Sequence, residues 1–342
     1  MVVEKDYDLD ELKRYIKDNK IYLFGCGNQG QRWIYYLEDF GLSNQILGVI
    51  DNNSQKWNTK LKGLRGEYEI ISPKDFIVNR HTDSVFVTSI YYKEIVEQLT
   101  GMSVGKVINC IYADGVLCNV LNQSRYEQVI KESEKPLIPK VIHYVWLGGK
   151  MPENVKKNIE QWKNLCTDYE FKLWNEDNYD IKKNDYVYEA YKKKKWGFAS
   201  DYIRLDVIYN EGGIYLDTDV EMIKSPDELL YQYGFFCVDG TLSVNTGSGF
   251  GAKEKNRVVK MLLDDYNDKH FVDSDGKLDL ITCNTKTYLV LRKLGYQAND
   301  QFQKIENTNI YPMIFQGGCA TASYFKSTDK TFWIHHGNMS WM

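Results

Sequence analysis

The chain has 342 residues, enough for two domains at about 100–200 residues each. Its 43 Lys and Arg stand against 47 Asp and Glu, a net charge of −4 that supplies no long-range pull toward nucleic acid. With 43% hydrophobic residues, and about three quarters of the surface buried in a chain of this size, intrinsic disorder is excluded.

The first twenty residues are charged throughout and hold no apolar signal-peptide core, and no later run approaches the roughly 18 apolar residues of a membrane helix. Seven cysteines (26, 110, 118, 166, 237, 283, 319) are odd in number and never form a CxxC pair. They predict reduced thiols and a soluble cytoplasmic protein.

In chain order, IYLFG (21–25) reads as a buried strand, and CGNQGQRWIYYLEDFG as a helix ending at Gly41. ILGVID (46–51), SVFVTS (84–89) and KVINCIY (106–112) read as further strands, with YYKEIVEQLTG helical between the last two. Alternating strands and helices imply parallel crossover units and a doubly wound sheet over residues 1–125. RYEQVIKESEKPLIP, broken by Pro136 and Pro139, reads as a connecting helix and a linker at 126–138. KVIHYVWLGG (140–149) opens a second α/β domain over 139–342, with helices near 153–165 and 185–196 and a last strand near TFWIHH (331–336).

Gly25, Gly27 and Gly30 form a GxGxxG between the first strand and its helix, and Asp51 ends the next strand. This is the context of a dinucleotide fingerprint: amides and a helix N-terminus for a pyrophosphate, and an acid for a ribose hydroxyl. The alternative is a tight turn whose glycines only permit close packing. The run IYLFGCGNQG, GVIDNNSQKW, LKGLRGEYEIISPKDF, VFVTSIYYKEI resembles the small Rossmann-like domains attached to many bacterial surface-sugar enzymes. A dehydrogenase reading would also claim Tyr188 and Lys192 as a YxxxK pair. The serine expected before such a tyrosine is absent from WNEDN (174–178), so YEAYKKKK reads as a basic helix end.

Asp-x-Asp occurs at Asp6/Asp8, Asp8/Asp10, Asp217/Asp219 and Asp273/Asp275. The last lies in VDSDGKLDL, a hairpin signal with Gly misplaced for a calcium loop. Asp217/Asp219 is set apart by its surroundings, GFASDYIRLDVIYNEGGIYLDTDVEMI. Ser200 reads as an N-cap, and DYIRLDVIYN as a helix with Asp201 and Arg204 on one face, stopped by Gly212-Gly213. IYL then reads as a buried strand delivering two carboxylates, which in extended backbone share a face. Crowded carboxylates repel unless a cation or proton lies between them, and hard oxygen ligands favour Mg²⁺ or Mn²⁺.

IPKVIHYVWLGG (138–149), WKNLCTDYEFKLWNEDN (162–178), FASDYIRLDVIYNEGGIYLDTDV (198–220) and HHGNMSW at the C-terminus together resemble glycosyltransferase family 32. That family includes capsular polysaccharide transferases and yeast mannosyltransferases. The resemblance implies a GT-A type nucleotide-sugar-binding domain. It implies Trp146 stacked on the donor base, Asp201 and Arg204 on the sugar and phosphate side, and Asp217 and Asp219 as metal motif. His335, or its neighbour His336, would complete the metal shell, and Ser340 and Trp341 would close over the diphosphate. The implied reaction is retaining, Mn²⁺- or Mg²⁺-dependent transfer from a nucleotide-sugar, UDP-sugar ahead of GDP-sugar. The acceptor would be a glycan or a lipid-linked oligosaccharide in bacterial surface polysaccharide synthesis. The Lys192–Lys195 run reads either as a solvated helix end or as a peripheral contact with an anionic lipid-linked acceptor at a membrane surface. The alternative is an NAD-dependent sugar oxidoreductase or epimerase using the GxGxxG. A Gly-Pro pair common in the family is missing from LITCNTKTYLV (280–290).

Overall fold

The structure is a computed structural model that describes residues 2–79, 81–103, 105, 107–121, 128–317 and 327–337. The chain divides into two compact units, Met1–Gln123 and Ser124–Met342.

The first unit runs β1 (Val2–Lys5), α1 (Leu9–Asp18), β2 (Ile21–Phe24), α2 (Asn28–Asp39), β3 (Ile46–Ile50), β4 (Lys60–Lys62), β5 (Glu67–Ile71), α3 (Pro73–Asn79), β6 (Ser84–Val87), α4 (Tyr92–Met102), β7 (Ile108–Tyr112) and α5 (Ala113–Leu121). The sheet order is β1-β7-β6-β2-β3-β5-β4, parallel throughout except β4. β2 and β6 are buried at every residue, as strands covered on both faces must be. The chain steps from β2 to β3 and β5, then crosses back to β6, so the winding reverses between β2 and β6. The expected strands and helices stand within one to three residues of their predicted ends. β1, the β4–β5 pair, α1, α3 and α5 are not among the expected elements; charge hides the β4–β5 pair, in which β5 alternates exposed and buried through Glu67, Tyr68, Glu69 and Ile70.

The second unit runs β8 (Val141–Val145), α6 (Glu153–Leu165), β9 (Glu170–Trp174), α7 (Asp185–Lys192), α8 (Trp196–Glu211), β10 (Gly213–Tyr215), β11 (Val220–Met222), β12 (Gly234–Cys237), β13 (Phe250–Ala252), α9 (Arg257–Asp264), α10 (Cys283–Leu291), β14 (Gln303–Ile305), β15 (Thr308–Tyr311), β16 (Gln316–Gly317) and β17 (Trp333–His335). Its mixed sheet has the order β14-β15-β12-β13-β10-β8-β9, and a small sheet β11-β17-β16 adjoins it in sequence. Trp162, Ile214, Leu216, Phe235, Phe332 and Trp333 are packed in one core. The molecule is therefore of the α/β class.

One expectation is corrected here. The connecting helix before Pro136 does not form over residues 128–139. Pro136 and Pro139 lack the N–H of a helical ladder. The backbone instead donates from Glu132 and Ser133 to the Tyr231 carbonyl and from Leu137 and Ile138 to that of Leu230. Among the described residues no helix is long and apolar enough to cross a membrane.

Candidate functional site

α8 is the spine of the site. Every residue from Phe198 to Ile208 is buried, Asp201, Arg204 and Asp206 included. The helix begins at Trp196, so Ser200 is not its N-cap: it lies inside the second turn and donates to the Gly197 carbonyl at 2.7 Å. The helix ends at Gly212, whose φ of +69° suits glycine. β10 then runs parallel to β8, with Tyr215 opposite His143.

Asp217 and Asp219 lie past the end of the strand, and Asp219 is in a turn. β10 ends at Tyr215, and Val220 N donates to Asp217 O at 3.0 Å, closing a turn around the two acids. Their convergence comes from this turn and from β17, which pairs antiparallel with β11 and sets His335 against Val220. One ligand atom from each of Asp217, Asp219 and His335 lies within 4.8 Å of the others. His335 Nε2 is 3.3 Å from Asp219 Oδ1. His336, on the other face of the strand, bonds Glu221 at 2.9 Å instead.

Behind the acids stands a buried ion network. Arg204 Nη2 is 3.1 Å from Asp201 Oδ1 and 3.2 Å from Asp217 Oδ1, and donates to Ser200 Oγ at 3.0 Å. The Tyr215 hydroxyl donates to Asp217 Oδ1 at 2.7 Å, and its ring lies 5.0 Å from the guanidinium carbon. Arg204 Nε is buried without a hydrogen-bond partner among the described residues. Burial raises the Asp217 carboxyl above the usual range, opposed by Arg204 and reinforced by Asp219. Burial likewise lifts Asp201 to about 6 against the pull of Arg204 and Lys286. Burial alone would lower His335, but its bond to Asp219 and the charge of Asp217 raise it. The carboxylates are thus short of positive charge, and the set fits a hard divalent cation: two carboxylates and an imidazole within reach of one ion.

Sequence reasoning missed the wall opposite. Gly247 O accepts from Asp217 N at 3.1 Å, and a Cβ on Gly247 would lie 2.4 Å from Asp217 Oδ2 and 2.9 Å from Arg204 Nη1. Asn245 bonds the Gly247 amide, and Cys283 Sγ reaches 3.8 Å from Asn245 Oδ1. The run of small and polar residues SVNTGSG was the available signal, since a loop of that composition is buried only where side chains must approach its backbone. Trp146 follows β8 at the sheet end from which β10 leads to the acids, half-buried, with Nε1 donating to Gly149 O at 2.9 Å. Ser340 and Trp341 lie outside the described residues. Tyr188 is partly exposed on α7, and VDSDGKLDL forms the expected hairpin, with Val272 bridging Leu278.

In the first unit, Gly25, Gly27 and Asp51 line a cleft of about 530 Å³ at the β2–β6 reversal, with Lys56, Thr88 and Tyr91. Gly30 is a packing residue: a Cβ there would fall 1.9 Å from Gly25 O. Asp51 Oδ2 accepts from Cys26 N at 2.9 Å and Cys26 Sγ at 2.8 Å, and Oδ1 from Asn53 N at 2.8 Å. Burial would raise Asp51, but these bonds bring it below its ordinary value, while burial and Asp51 push the Cys26 thiol up to about 11.

Residues 152–236 match a family model described as "Glycosyltransferase sugar-binding region containing DXD motif", and residues 17–108 one described as "C2185-like, N-terminal". The first stretch holds α8 and the Asp217/Asp219 turn. The chain is similar to inositol phosphoceramide mannosyltransferase 3 of Schizosaccharomyces pombe, 29% identical over 110 residues, which is 31% of each protein. It is also similar to inositol phosphoceramide mannosyltransferase 2 of that organism, 32% identical over 105 residues, 29% of this chain and 30% of the relative. The chain thus spans about a third of the length of these curated relatives. A solved glycosyltransferase involved in the glycosylation of the major capsid of PBCV-1 overlays 58% of this chain and 95% of its own, with TM-score 0.35 and 13% identity.

Proposed function

We propose that the chain is a metal-dependent glycosyltransferase that moves a sugar from a nucleotide-sugar donor, UDP-sugar ahead of GDP-sugar, to a glycan or lipid-linked acceptor. The observation that carries this reading is the convergence of Asp217, Asp219 and His335 beside the buried Arg204. The DXD match over 152–236 and the mannosyltransferase relatives support it. In this reading the three residues hold Mn²⁺ or Mg²⁺, which when bound offsets the charge gathering on the departing diphosphate. Arg204 adds a positive charge that does not titrate away. Asp201 holds sugar hydroxyls and Trp146 stacks on the base.

The bond from the anomeric carbon to phosphate oxygen breaks, and its electron pair leaves with the nucleoside diphosphate. The acceptor oxygen forms the new bond on the vacated face, with retention, and passes its proton to a donor phosphate oxygen. The exposed Lys192, Lys193 and Lys194 suit a cytoplasmic enzyme meeting anionic lipid-linked acceptors at a membrane face in bacterial surface polysaccharide synthesis.

The test is release of free nucleoside diphosphate from a panel of UDP- and GDP-sugars with Mn²⁺. Turnover on one member, abolished by EDTA, is expected. Asp219→Asn is expected to lose at least about a hundredfold, and His335→Ala about tenfold or more, with His336→Ala near wild type. Turnover indifferent to EDTA and to Asp219→Asn would refute the assignment.

The cleft by Gly25 and Asp51 favours a second reading, a ligand site in the amino-terminal unit, in its strongest form an NAD-dependent sugar oxidoreductase or epimerase. It requires saturable NAD⁺ or NADH binding that Asp219→Asn leaves intact. The hold of Cys26 and Asn53 on Asp51 leaves that acid little capacity for a ribose.

A further inference from the structure

The turn that presents Asp217 and Asp219 is held by a helix that supplies neither acid. Three side chains of α6, Asn158, Gln161 and Trp162, donate to backbone carbonyls of residues 218–222. Their i, i+3, i+4 spacing sets them on one side of the helix. Asn158 Nδ2 is 2.9 Å from Thr218 O and 2.6 Å from Val220 O. Trp162 Nε1 donates to the same Val220 carbonyl at 2.8 Å, and Gln161 Nε2 to Met222 O at 3.0 Å. Trp162 is fully buried in the core of this unit, so the helix is a firm backing for the turn.

The two side-chain amides fasten different things. Gln161 holds the end of β11, a strand already paired with β17. Asn158 holds the peptide between the two acids, because Thr218 O lies in the plane that joins Thr218 to Asp219. Its one nitrogen carries two N–H groups, enough to clip that peptide and the first residue of β11 together. The flanking carbonyls are met by backbone instead: Asp217 O by Val220 N at 3.0 Å, and Asp219 O by His336 N at 3.2 Å. A peptide plane is free to turn only about the single bonds on either side of it. Turning this one would swing Asp219 relative to Asp217, and the Asn158 bond opposes that rotation.

We propose that Asn158 is a positioning residue for the metal centre: its amide fixes the Thr218–Asp219 peptide, and so keeps Asp219 within reach of an ion shared with Asp217 and His335. This rests on the metal-dependent reading. The full chain is titrated calorimetrically with Mn²⁺, alone and with UDP present, and turnover is then followed against Mn²⁺ concentration. Asn158→Leu, similar in branching and without a donor, is expected to weaken Mn²⁺ binding about tenfold. The Mn²⁺ concentration for half-maximal turnover is expected to rise by the same factor, with kcat at saturating Mn²⁺ within about threefold of wild type. Gln161→Leu removes a like bond from the same helix face and is expected to leave Mn²⁺ binding within about twofold. Asn158→Ser, with a shorter donor, is expected to act in the same direction as Asn158→Leu and serves if that variant does not fold. Unchanged Mn²⁺ affinity in the Asn158 variant, or an equal loss in Gln161→Leu, overturns the proposal. A wild-type chain that takes up no Mn²⁺ under either condition instead fells the metal-dependent reading, and this inference with it.

Discussion

Both units bring an acid to the end of a strand beside glycines, and the two acids differ in what answers their charge. In the first unit Asp51 is met by a thiol and two amides and is stabilised as the anion. In the second, Asp217 and Asp201 share one Arg204 and are pushed toward protonation, first by burial, then Asp201 by Asp217 and Asp217 by Asp219. A satisfied carboxylate is a structural fitting, whereas crowded carboxylates around too little positive charge await a cation. The likeness of the two motifs in sequence hides this difference in electrostatics.

The hardest blow to the comparison comes from the second unit. Gly247→Ala places a methyl group on Asp217 Oδ2, so either that carboxylate or Arg204 must shift. Displacement of about 1 Å at such a site costs on the order of a hundredfold. Mn²⁺-dependent turnover is expected to fall by that factor with little change in fold, and full activity would show that the acids need no fixed geometry.

Removing the first unit's acid is expected to have the opposite profile. Asp51→Ala strips partners from the Cys26 and Asn53 amides and is expected to destabilise by about 2 kcal/mol, read as a lower Tm, with turnover within about twofold of wild type. A loss of turnover with Tm unchanged would make Asp51 a functional group after all.

The smallest effect separates the acids by pH. The folded pKa of Asp51 lies below its unfolded value, so its stabilisation is present above the unfolded pKa and is lost as pH falls through the folded one. Asp201 is raised to about 6, so the folded chain binds that proton more tightly than the unfolded chain. Its contribution to stability therefore grows as pH falls through about 6. Asp201→Asn is expected to be more stable than wild type at pH 7 by on the order of 1 kcal/mol, a margin that shrinks toward pH 5. A margin that widens on acidification contradicts the burial of a charged Asp201.

The apolar runs IYLF, ILGVI and SVFV determined the central strands of the first unit by themselves, because a parallel strand covered on both faces has no polar alternative. The i,i+3 spacing of Asp201 and Arg204 likewise determined their contact once a helix was granted. Tertiary structure decided the rest of the site. The bend that gathers Asp217 and Asp219 is a turn held by the Gly247 backbone, and the choice of His335 over His336 follows from the register of β17 on β11. Gly247 and Cys283 enter from a loop and a helix 30 to 70 residues downstream, joined by long-range burial that leaves no local period to read. A motif names the groups that carry charge, and only packing sets how much of that charge is already answered.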